Sequence, residues 1–297
     1  MIETLNIVTK SGTELQGTRF KAPCATTVFI AITGVHGNFY SNPFYVNIGK
    51  TLMAAGVDFI YAQTRDAMSQ VATVNHLTGE EELVGSWSED FADADTDVAA
   101  YLAYAQQHHY QHVILGGHSL GANKVIHYLA HHPQANIDKF ILLSPANLKR
   151  LTDTVTPSER QEVQSQFRAG RGSQLLSFEL FGWLPCTVAT AHQWLYTDTL
   201  DNVHSDAQAD FRQIEQIKPS GALMIGTLDS FTYGDPKQYL RTINAHFIQP
   251  TENTLVFIPE TGHTYQGKEQ QLANKILATI QAWSLGGQSH AVYHGKG

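Results

Sequence analysis

Short apolar segments alternate with amphipathic segments along most of this chain. Four apolar segments are rich in β-branched or aromatic residues: Thr27–Thr33, Val57–Gln63, His112–Gly116 and Lys139–Leu143. Continuous apolar runs of this length are typical of strands that are buried on both faces of a parallel sheet. Because helical segments separate them, the pattern predicts an α/β fold with a mostly parallel central sheet and helices on both faces.

The predicted sheet extends beyond these four strands. Glu3–Lys10 and Glu14–Phe20 are alternating segments on either side of a short turn, which predicts an antiparallel hairpin. Ala222–Gly226 and Thr254–Ile258 predict two further strands near the end of the chain. Helices are predicted at about residues 43–55, with Asn42 as N-cap, and at 86–105, 121–131, 236–247 and 268–283.

Two local predictions concern the stretch before the second helix. Residues 64–85 carry no regular pattern and are predicted to form a loop. Ser86-Trp87-Ser88-Glu89 fits the S-x-x-E capping box, in which the two outer side chains satisfy N–H groups at a helix start. The apolar residues of 91–105 follow at helical spacing, so we expect a helix that begins at this box.

The alternation of strands and helices is interrupted at residues 146–218. This stretch is rich in Gln, Ser, Thr and Arg, and it holds several aromatic residues: Phe178, Phe181, Trp183, Trp194 and Tyr196. We interpret it as a mostly helical cap inserted into a single domain of residues 1–285, followed by a tail at residues 286–297. The aromatic side chains would either wall an apolar pocket or pack within the cap.

Gly117-His118-Ser119-Leu120-Gly121 matches G-x-S-x-G, which marks a nucleophile elbow where a strand precedes it and a helix follows. Both neighbours are predicted here. Glycines are needed because Cβ atoms at Gly117 and Gly121 would collide with the adjacent strand and helix. Ser119 is therefore the predicted nucleophile, and an inert serine in a glycine-rich turn is the alternative.

A serine hydroxyl is a poor nucleophile at neutral pH and needs a base within hydrogen-bond distance. His263 follows the last predicted strand, so it can meet the elbow at the carboxyl edge of the sheet. Most of the other histidines lie at helix ends, beside helices or in the tail. His263 is therefore the predicted general base, with an ordinary loop histidine as the alternative.

The third group must orient the imidazole and stabilise its charged form. Asp229 follows the strand Ala222–Gly226, which gives the chain order Ser119, Asp229, His263. Asp235 is a rival acid, but it precedes a proline and is predicted to cap the next helix. Asp201, within the insertion, is a second rival.

Acyl transfer also needs two N–H donors for the oxygen that becomes negatively charged. The backbone N–H of Leu120, directly after the nucleophile, is predicted to be one donor. The loop Thr33–Phe39 should supply the other, with a turn at His36-Gly37 and the backbone N–H of Asn38 as the donor. A plain glycine-containing connection is the alternative for this loop.

Together these motifs resemble the α/β-hydrolase superfamily, serine esterase type. The resemblance covers residues 27 to about 283 and rests on His36-Gly37, Gly117–Gly121, Asp229 and His263. The stretches SWSEDFADADTDVAAYL and GGHSLGANKVIHYL are similar to a group of microbial hydrolases that includes fungal siderophore esterases. The loop lacks the His-Gly-Gly-Gly form of many lipases and esterases, which disfavours esters of bulky tertiary alcohols.

The resemblance implies an α/β-hydrolase fold and a serine hydrolase that cleaves a carboxylic ester through a Ser-His-Asp triad and an acyl-enzyme intermediate. Thioesterase and peptidase activities use the same groups and stay open. A protein that only binds a small ligand is a further alternative, because fold does not fix function. The expected partner is a small-molecule ester or acyl compound, no metal or organic cofactor is implied, and the oligomeric state is open.

Composition excludes several other classes of protein. The 19 basic and 27 acidic residues give a net charge of −8, and the absence of a basic run disfavours nucleic-acid binding. No apolar stretch approaches the roughly 20 residues of a membrane-spanning helix, and the N-terminus lacks the pattern of a secretory signal. Cys24 and Cys186 occur in no metal-binding spacing. We therefore expect a cytoplasmic protein without a metal site.

Overall fold

Buried strands form one central sheet, as the alternating pattern predicts. The computed structural model describes residues 1–283, and the predicted tail at residues 286–297 lies outside them. Its strands are β1 (Ile2–Val8), β2 (Glu14–Phe20), β3 (Thr27–Ile32), β4 (Asp58–Ala62), β5 (Val71–Val74), β6 (Glu81–Val84), β7 (His112–His118), β8 (Lys139–Leu143), β9 (Gly221–Gly226) and β10 (Thr254–Ile258). The main sheet has the order β1-β2-β4-β3-β7-β8-β9-β10. From β4 to β10 it is parallel, whereas β1 and β2 are antiparallel to their neighbours.

Helices cover both faces of this sheet. They are α1 (Phe44–Ala54), α2 (Ala94–Gln107), α3 (Leu120–His131), α4 (Leu148–Thr152), α5 (Pro157–Arg168), α6 (Val188–Tyr196), α7 (Pro236–Ala245) and α8 (Glu269–Ala282). One apolar cluster joins one face to α2, α3 and α7, and another joins the opposite face to α1 and α8. Ile30 of β3 lies in the first cluster and its neighbour Phe29 in the second, because successive side chains of a strand point to opposite faces. The predicted fold class is confirmed.

Two local predictions about helix starts are wrong. Ser86 begins a short 3₁₀ turn rather than a helix, and Asp90 caps the following turn instead. Glu89 is buried beside Lys124, and this long-range pairing prevails over the local capping pattern. Asn42 does not cap α1 with its side chain, since the helix starts after Pro43 with no side-chain cap.

Residues 64–85 are also not a plain loop, because β5 and β6 form a two-stranded antiparallel hairpin within them. Their residues are alternately half-buried and exposed. Strands this short, with no fully buried residue, lack the apolar run from which the other strands are predicted.

Three helices, α4, α5 and α6, lie within the interrupted stretch at residues 146–218, but they cover only about a third of it, so the prediction that it is mostly helical is wrong. Their apolar side chains form a cluster separate from the two on the sheet, and this cluster also includes Leu120 of the elbow. This packing supports our proposal that the stretch is a cap on one larger domain.

No helix within residues 1–283 is long and apolar enough to cross a membrane. In the same residues, no group of three or more His, Cys, Asp or Glu side chains is arranged to hold a metal ion. The cytoplasmic location stays a prediction.

A buried ion pair fastens the antiparallel hairpin to the parallel strands. In β2, Arg19 Nη2 lies 2.7 Å from Oδ2 of Asp58 in β4, and the carboxylate is fully buried. Asp58 also accepts hydrogen bonds from the Ala22 N–H at 2.7 Å and from the Tyr110 hydroxyl. On the side facing solvent, Arg19 Nη1 lies 3.0 Å from Oε1 of the partly exposed Glu3. Asp58 is therefore the anchor of this end of the sheet.

Replacing this anchor should destabilise the protein strongly. Asp58→Ala is expected to lower the free energy of unfolding by about 3–5 kcal/mol, because it leaves Arg19 buried without its main partner. Glu3→Ala removes the partly exposed partner and should cost less than about 1 kcal/mol. Urea unfolding followed by circular dichroism measures both losses. Equal losses in the two variants would contradict the anchoring role of Asp58.

Candidate active site

Ser119 lies in a tight turn between β7 and α3. Its φ of 56° and ψ of −128° belong to a region that residues with side chains rarely adopt. A Cβ on Gly117 would lie 2.3 Å from the Gly121 carbonyl oxygen, and one on Gly121 would lie 2.3 Å from that of Ile32. Both positions therefore require glycine, and the turn packs directly against the end of β3.

Three side chains from three loops form a continuous series of hydrogen bonds. The Ser119 hydroxyl lies 2.8 Å from His263 Nε2, and His263 Nδ1 lies 2.9 Å from Asp229 Oδ2. Asp229 follows β9 and His263 follows β10, so both lie at the carboxyl edge of the sheet beside the elbow. The structure thus brings together the three residues that are predicted from the sequence to form the site.

The environment of Asp229 keeps its carboxylate ionised. Burial alone would raise its pKa, but hydrogen bonding and charge interaction with His263, together with further hydrogen bonds, outweigh burial and lower the pKa. One of these bonds comes from the Phe231 N–H at 3.0 Å. An ionised Asp229 accepts a hydrogen bond from His263 Nδ1–H, which keeps that proton on Nδ1 and leaves Nε2 free to accept the Ser119 hydroxyl proton.

The two rival acids lie elsewhere. Asp235 caps α7 and accepts from the Lys237 N–H at 2.8 Å, as its position before a proline predicts. Asp201 accepts from the Lys149 N–H at 3.2 Å. Among the described residues, neither acid forms a hydrogen bond with His263.

Main-chain bonds fix the loops that carry Asp229 and His263 to each other. The Leu228 N–H donates to the Thr261 carbonyl oxygen at 2.9 Å. A Cβ on Gly226 would lie 2.4 Å from the same oxygen, so the two loops touch backbone to backbone. The separation of the acid and the imidazole is therefore set by the backbone and not by side-chain packing alone.

His118, the second residue of the elbow motif, supports the His263 loop. Its Nε2–H donates to the His263 carbonyl oxygen at 2.7 Å, and its ring packs edge-on against Phe44. Burial, with a contribution from His263, lowers the pKa of His118 to about 3. His118 is therefore neutral at physiological pH. Sequence reasoning missed this role, because the motif leaves the residue before the serine unspecified.

The structure contradicts Asn38 as the second oxyanion donor. The Asn38 N–H donates to the Ser41 hydroxyl at 3.2 Å. Asn38 is also absent from the lining of the cavity at Ser119, although Gly37 belongs to it. The residue after the His36-Gly37 turn is therefore too far along the loop for its N–H to face Ser119.

Val35 lies where the second donor was expected. A Cβ on the preceding residue, Gly34, would be 2.9 Å from Ser119 Cβ, so the peptide that ends in the Val35 N–H lies against the elbow. Within residues 1–283, the N–H groups of Val35 and Leu120 have no acceptor. Both residues line the cavity. Two glycines, Gly34 and Gly37, follow β3, and the sequence does not distinguish them, whereas in the structure it is Gly34 that approaches Ser119.

Ser119 and His263 open into a cavity of about 390 Å³. Most of its wall is apolar and comes from the elbow, the loops after β3 and β9, and the cap: Val35, Leu120, Ala146, Leu148, Leu151, Trp183, Trp194 and Phe231. Asp, Glu, Lys and Arg do not occur among its described lining residues. The cavity therefore offers a few polar groups at one end of a neutral, apolar wall.

A buried charged cluster lies behind the elbow. Lys124 in α3 places Nζ 3.0 Å from Asp66 Oδ2 and 2.7 Å from Glu89 Oε1. The Asp66 carbonyl oxygen accepts from the His36 N–H at 3.2 Å, and that of Glu89 accepts from the Thr190 hydroxyl at 3.1 Å. Lys124 thus connects the elbow helix with the loop after β3 and with the cap. Sequence reasoning missed this cluster, because its members are far apart along the chain.

Burial also changes the titration of this cluster. It raises the pKa of Glu89 to about 8, although the charge of Lys124 opposes the change. Burial likewise raises the pKa of Asp97, which belongs to the same acidic surroundings, to about 6. The folded protein therefore holds protons at pH values at which the unfolded chain has released them.

This difference predicts a pH-dependent stability. Because the folded state binds the Glu89 proton more tightly, the free energy of unfolding should fall as the pH rises from about 4.5 to about 8. Glu89→Gln removes the titrating group and should flatten this decline. Glu81→Gln, at an exposed position, should keep the wild-type slope. Urea unfolding at intervals from pH 5 to pH 9 measures the slopes, and equal slopes for Glu89→Gln and wild type would contradict the assignment.

This chain is similar to known proteins in part of its sequence and in its fold. The family model described as serine aminopeptidase, S33, matches residues 30–175. No curated protein matches the sequence. Among solved structures, the α/β hydrolase GrgF from Penicillium sp. sh18 is similar, with a TM-score of 0.70 and 14% identity over 95% of this chain and 98% of the other.

Two further structures are similar at comparable levels. Est1E from Butyrivibrio proteoclasticus has a TM-score of 0.60 and 16% identity, over 94% of this chain and 99% of its own. The monoacylglycerol lipase of Paleococcus ferrophilus has a TM-score of 0.63 and 15% identity, over 91% of this chain and 99% of its own. These likenesses confirm the α/β-hydrolase fold that the sequence resemblance implied.

Proposed function

We propose that this chain, which has the α/β-hydrolase fold, is a serine hydrolase that cleaves carboxylic esters. The observation that carries the proposal is the hydrogen-bonded series of Ser119, His263 and Asp229 at the apolar cavity. A serine becomes a competent nucleophile when a neutral imidazole can take its proton as it attacks. A carboxylate on the far side of the imidazole stabilises the cation that results.

The reaction proceeds in two halves. Ser119 Oγ bonds to the ester carbonyl carbon as its proton passes to His263 Nε2, and the carbonyl π electrons move onto the oxygen. When this tetrahedral intermediate collapses, the bond to the alcohol oxygen breaks, and His263 gives the proton to the departing alcohol. Water, deprotonated by His263, then attacks the acyl-enzyme in the same manner and releases the acid and Ser119.

The oxygen that becomes negative is held by the N–H groups of Val35 and Leu120. Neither group has an acceptor within the described residues, and both are next to Ser119 in space or in sequence. Loss of one such donor typically costs about 3–4 kcal/mol of transition-state stabilisation. The N-terminus of α3, which starts at Leu120, adds its partial positive charge at the same place.

The lining of the cavity favours an ester over a peptide with a free amino terminus. An aminopeptidase must bind an α-ammonium group, and a buried cation needs a carboxylate or a set of acceptors beside it. No Asp or Glu occurs among the described lining residues. A monoacylglycerol lipase is among the similar structures, which also supports an ester substrate. A thioester would use the same groups, so thioesterase activity is the second candidate.

A fluorophosphonate probe and p-nitrophenyl butyrate test the proposal together. The probe should label wild-type Ser119, as located by mass spectrometry, and Ser119→Ala should lower kcat/KM at least about 10³-fold. Ser165→Ala, at an exposed position of α5, should behave as wild type. If wild type stays unlabelled and Ser119→Ala retains its turnover, the chain is not a serine hydrolase. If neither wild type nor Ser119→Ala turns over the ester, binding of a small ligand without catalysis is the remaining role.

A matched pair of acids tests the role of Asp229. Asp229→Asn should lower kcat by about 10³–10⁴-fold, because an amide neither fixes the required imidazole tautomer nor stabilises its charged form. Asp235→Asn should retain kcat, because asparagine caps a helix as well as aspartate does. Steady-state kinetics with the same ester measures both. A large loss in Asp235→Asn with normal turnover in Asp229→Asn would reverse the assignment.

A further inference from the structure

Two side chains, Trp194 of α6 and Leu148 of α4, form part of the cap-side wall of the active-site cavity. A second cavity of about 120 Å³ lies behind this wall. Trp194 and Leu148 line both cavities, and no other described residue lines both of them. The second cavity is more polar, because Lys149, Arg160 and Asp201 contribute to its lining. The wall therefore separates an uncharged chamber at Ser119 from a charged one.

The wall is held firmly. The Trp194 ring packs edge-on against Phe91 and Phe181, with centroids 5.3 and 5.2 Å apart, and the residue is only 5% exposed. Next to it in α6, Gln193 Oε1 accepts from the Phe91 N–H at 2.8 Å. The contacts with Phe91 thus fix α6 to the main domain, and Phe181 packs against Trp194 from within the cap, so Trp194 acts as a fixed boundary of the cavity.

Two contacts indicate which part of a bound ester would face the wall. Trp194 and Leu148 belong to the same apolar cluster as Leu120, which carries one of the two proposed oxyanion donors. On the other side, the Phe231 ring lies 4.4 Å from the His263 ring. Since His263 must protonate the departing alcohol, the alcohol lies near His263 and Phe231. The acyl group is then left to extend toward the wall.

We propose that Trp194 and Leu148 end the acyl subsite and set the greatest length of acyl group that the protein accepts. The inference rests on the proposed ester hydrolysis. The chamber in front of the wall takes an uncharged, compact alkyl or aryl acyl group. A longer chain cannot advance, because the two side chains fill its path.

The test uses p-nitrophenyl esters with straight acyl chains from acetyl to myristoyl, and butyrate esters of several alcohols. Trp194→Ala and Leu148→Ala join the two cavities, so the acyl length at which kcat/KM begins to fall should increase. The ratio of kcat/KM for a chain beyond the wild-type limit to that for butyryl should rise about 10-fold or more. The dependence on the alcohol should stay as in wild type.

Two control variants distinguish the effect of opening the wall from the effect of enlarging one cavity alone. Trp183 lines only the first of the two cavities, and Leu195 lines only the second. Trp183→Ala and Leu195→Ala should therefore keep the wild-type acyl limit. Thermal unfolding and fluorophosphonate labelling report whether each variant is folded and keeps a reactive Ser119. If Trp194→Ala does not fold, Leu148→Ala decides, because it opens the same wall by removing a smaller side chain.

The outcomes are distinct. An unchanged acyl limit in folded, labelled Leu148→Ala and Trp194→Ala overturns the inference and leaves the proposed function standing. A changed dependence on the alcohol, with an unchanged acyl limit, shows that the wall borders the alcohol and also overturns it. A wild-type protein that is neither labelled nor active on any ester overturns the proposed function, and this inference with it.

Discussion

The site depends on the close contact between the elbow and the end of β3. Gly121 and Gly34 leave no room for a Cβ on either side of this contact, since one would meet the Ile32 carbonyl oxygen and the other Ser119. The contact keeps Ser119 in its unusual backbone conformation. It also brings the Val35 N–H to the same side of the turn as the N–H of Leu120. Nucleophile and proposed oxyanion donors are therefore positioned by one piece of backbone packing.

The surrounding structure holds this contact from two directions. In front, main-chain bonds between the loops after β9 and β10 fix Asp229 and His263, and His118 supports the latter through its carbonyl oxygen. Behind, the buried pairing of Lys124 with two carboxylates connects the elbow helix with the loop after β3 and with the cap. A buried charged cluster is costly to assemble, but removal of any one member leaves the others unpaired, which makes the arrangement specific.

The sequence predicts the sheet and the cluster of Ser119, His263 and Asp229, because buried strands have a recognisable composition and each of these residues follows a strand at the same edge. It fails where the deciding interaction is distant along the chain. Glu89 fits a local capping box, yet it pairs with Lys124. Asn38 follows a Gly-containing turn, yet its N–H donates to Ser41, and the packing of Gly34 against the elbow is what supports Val35 as the proposed donor. The half-exposed hairpin of β5 and β6 escapes prediction for lack of an apolar run.

The most direct test of this account is a crystal structure of the protein after reaction with a p-nitrophenyl alkylphosphonate, whose tetrahedral adduct imitates the acylation intermediate. The account predicts phosphorus bonded to Ser119 Oγ, and a phosphoryl oxygen about 2.7–3.1 Å from the backbone nitrogens of Val35 and Leu120. An adduct on another residue would contradict it. So would an adduct on Ser119 whose phosphoryl oxygen faces solvent or the Asn38 N–H.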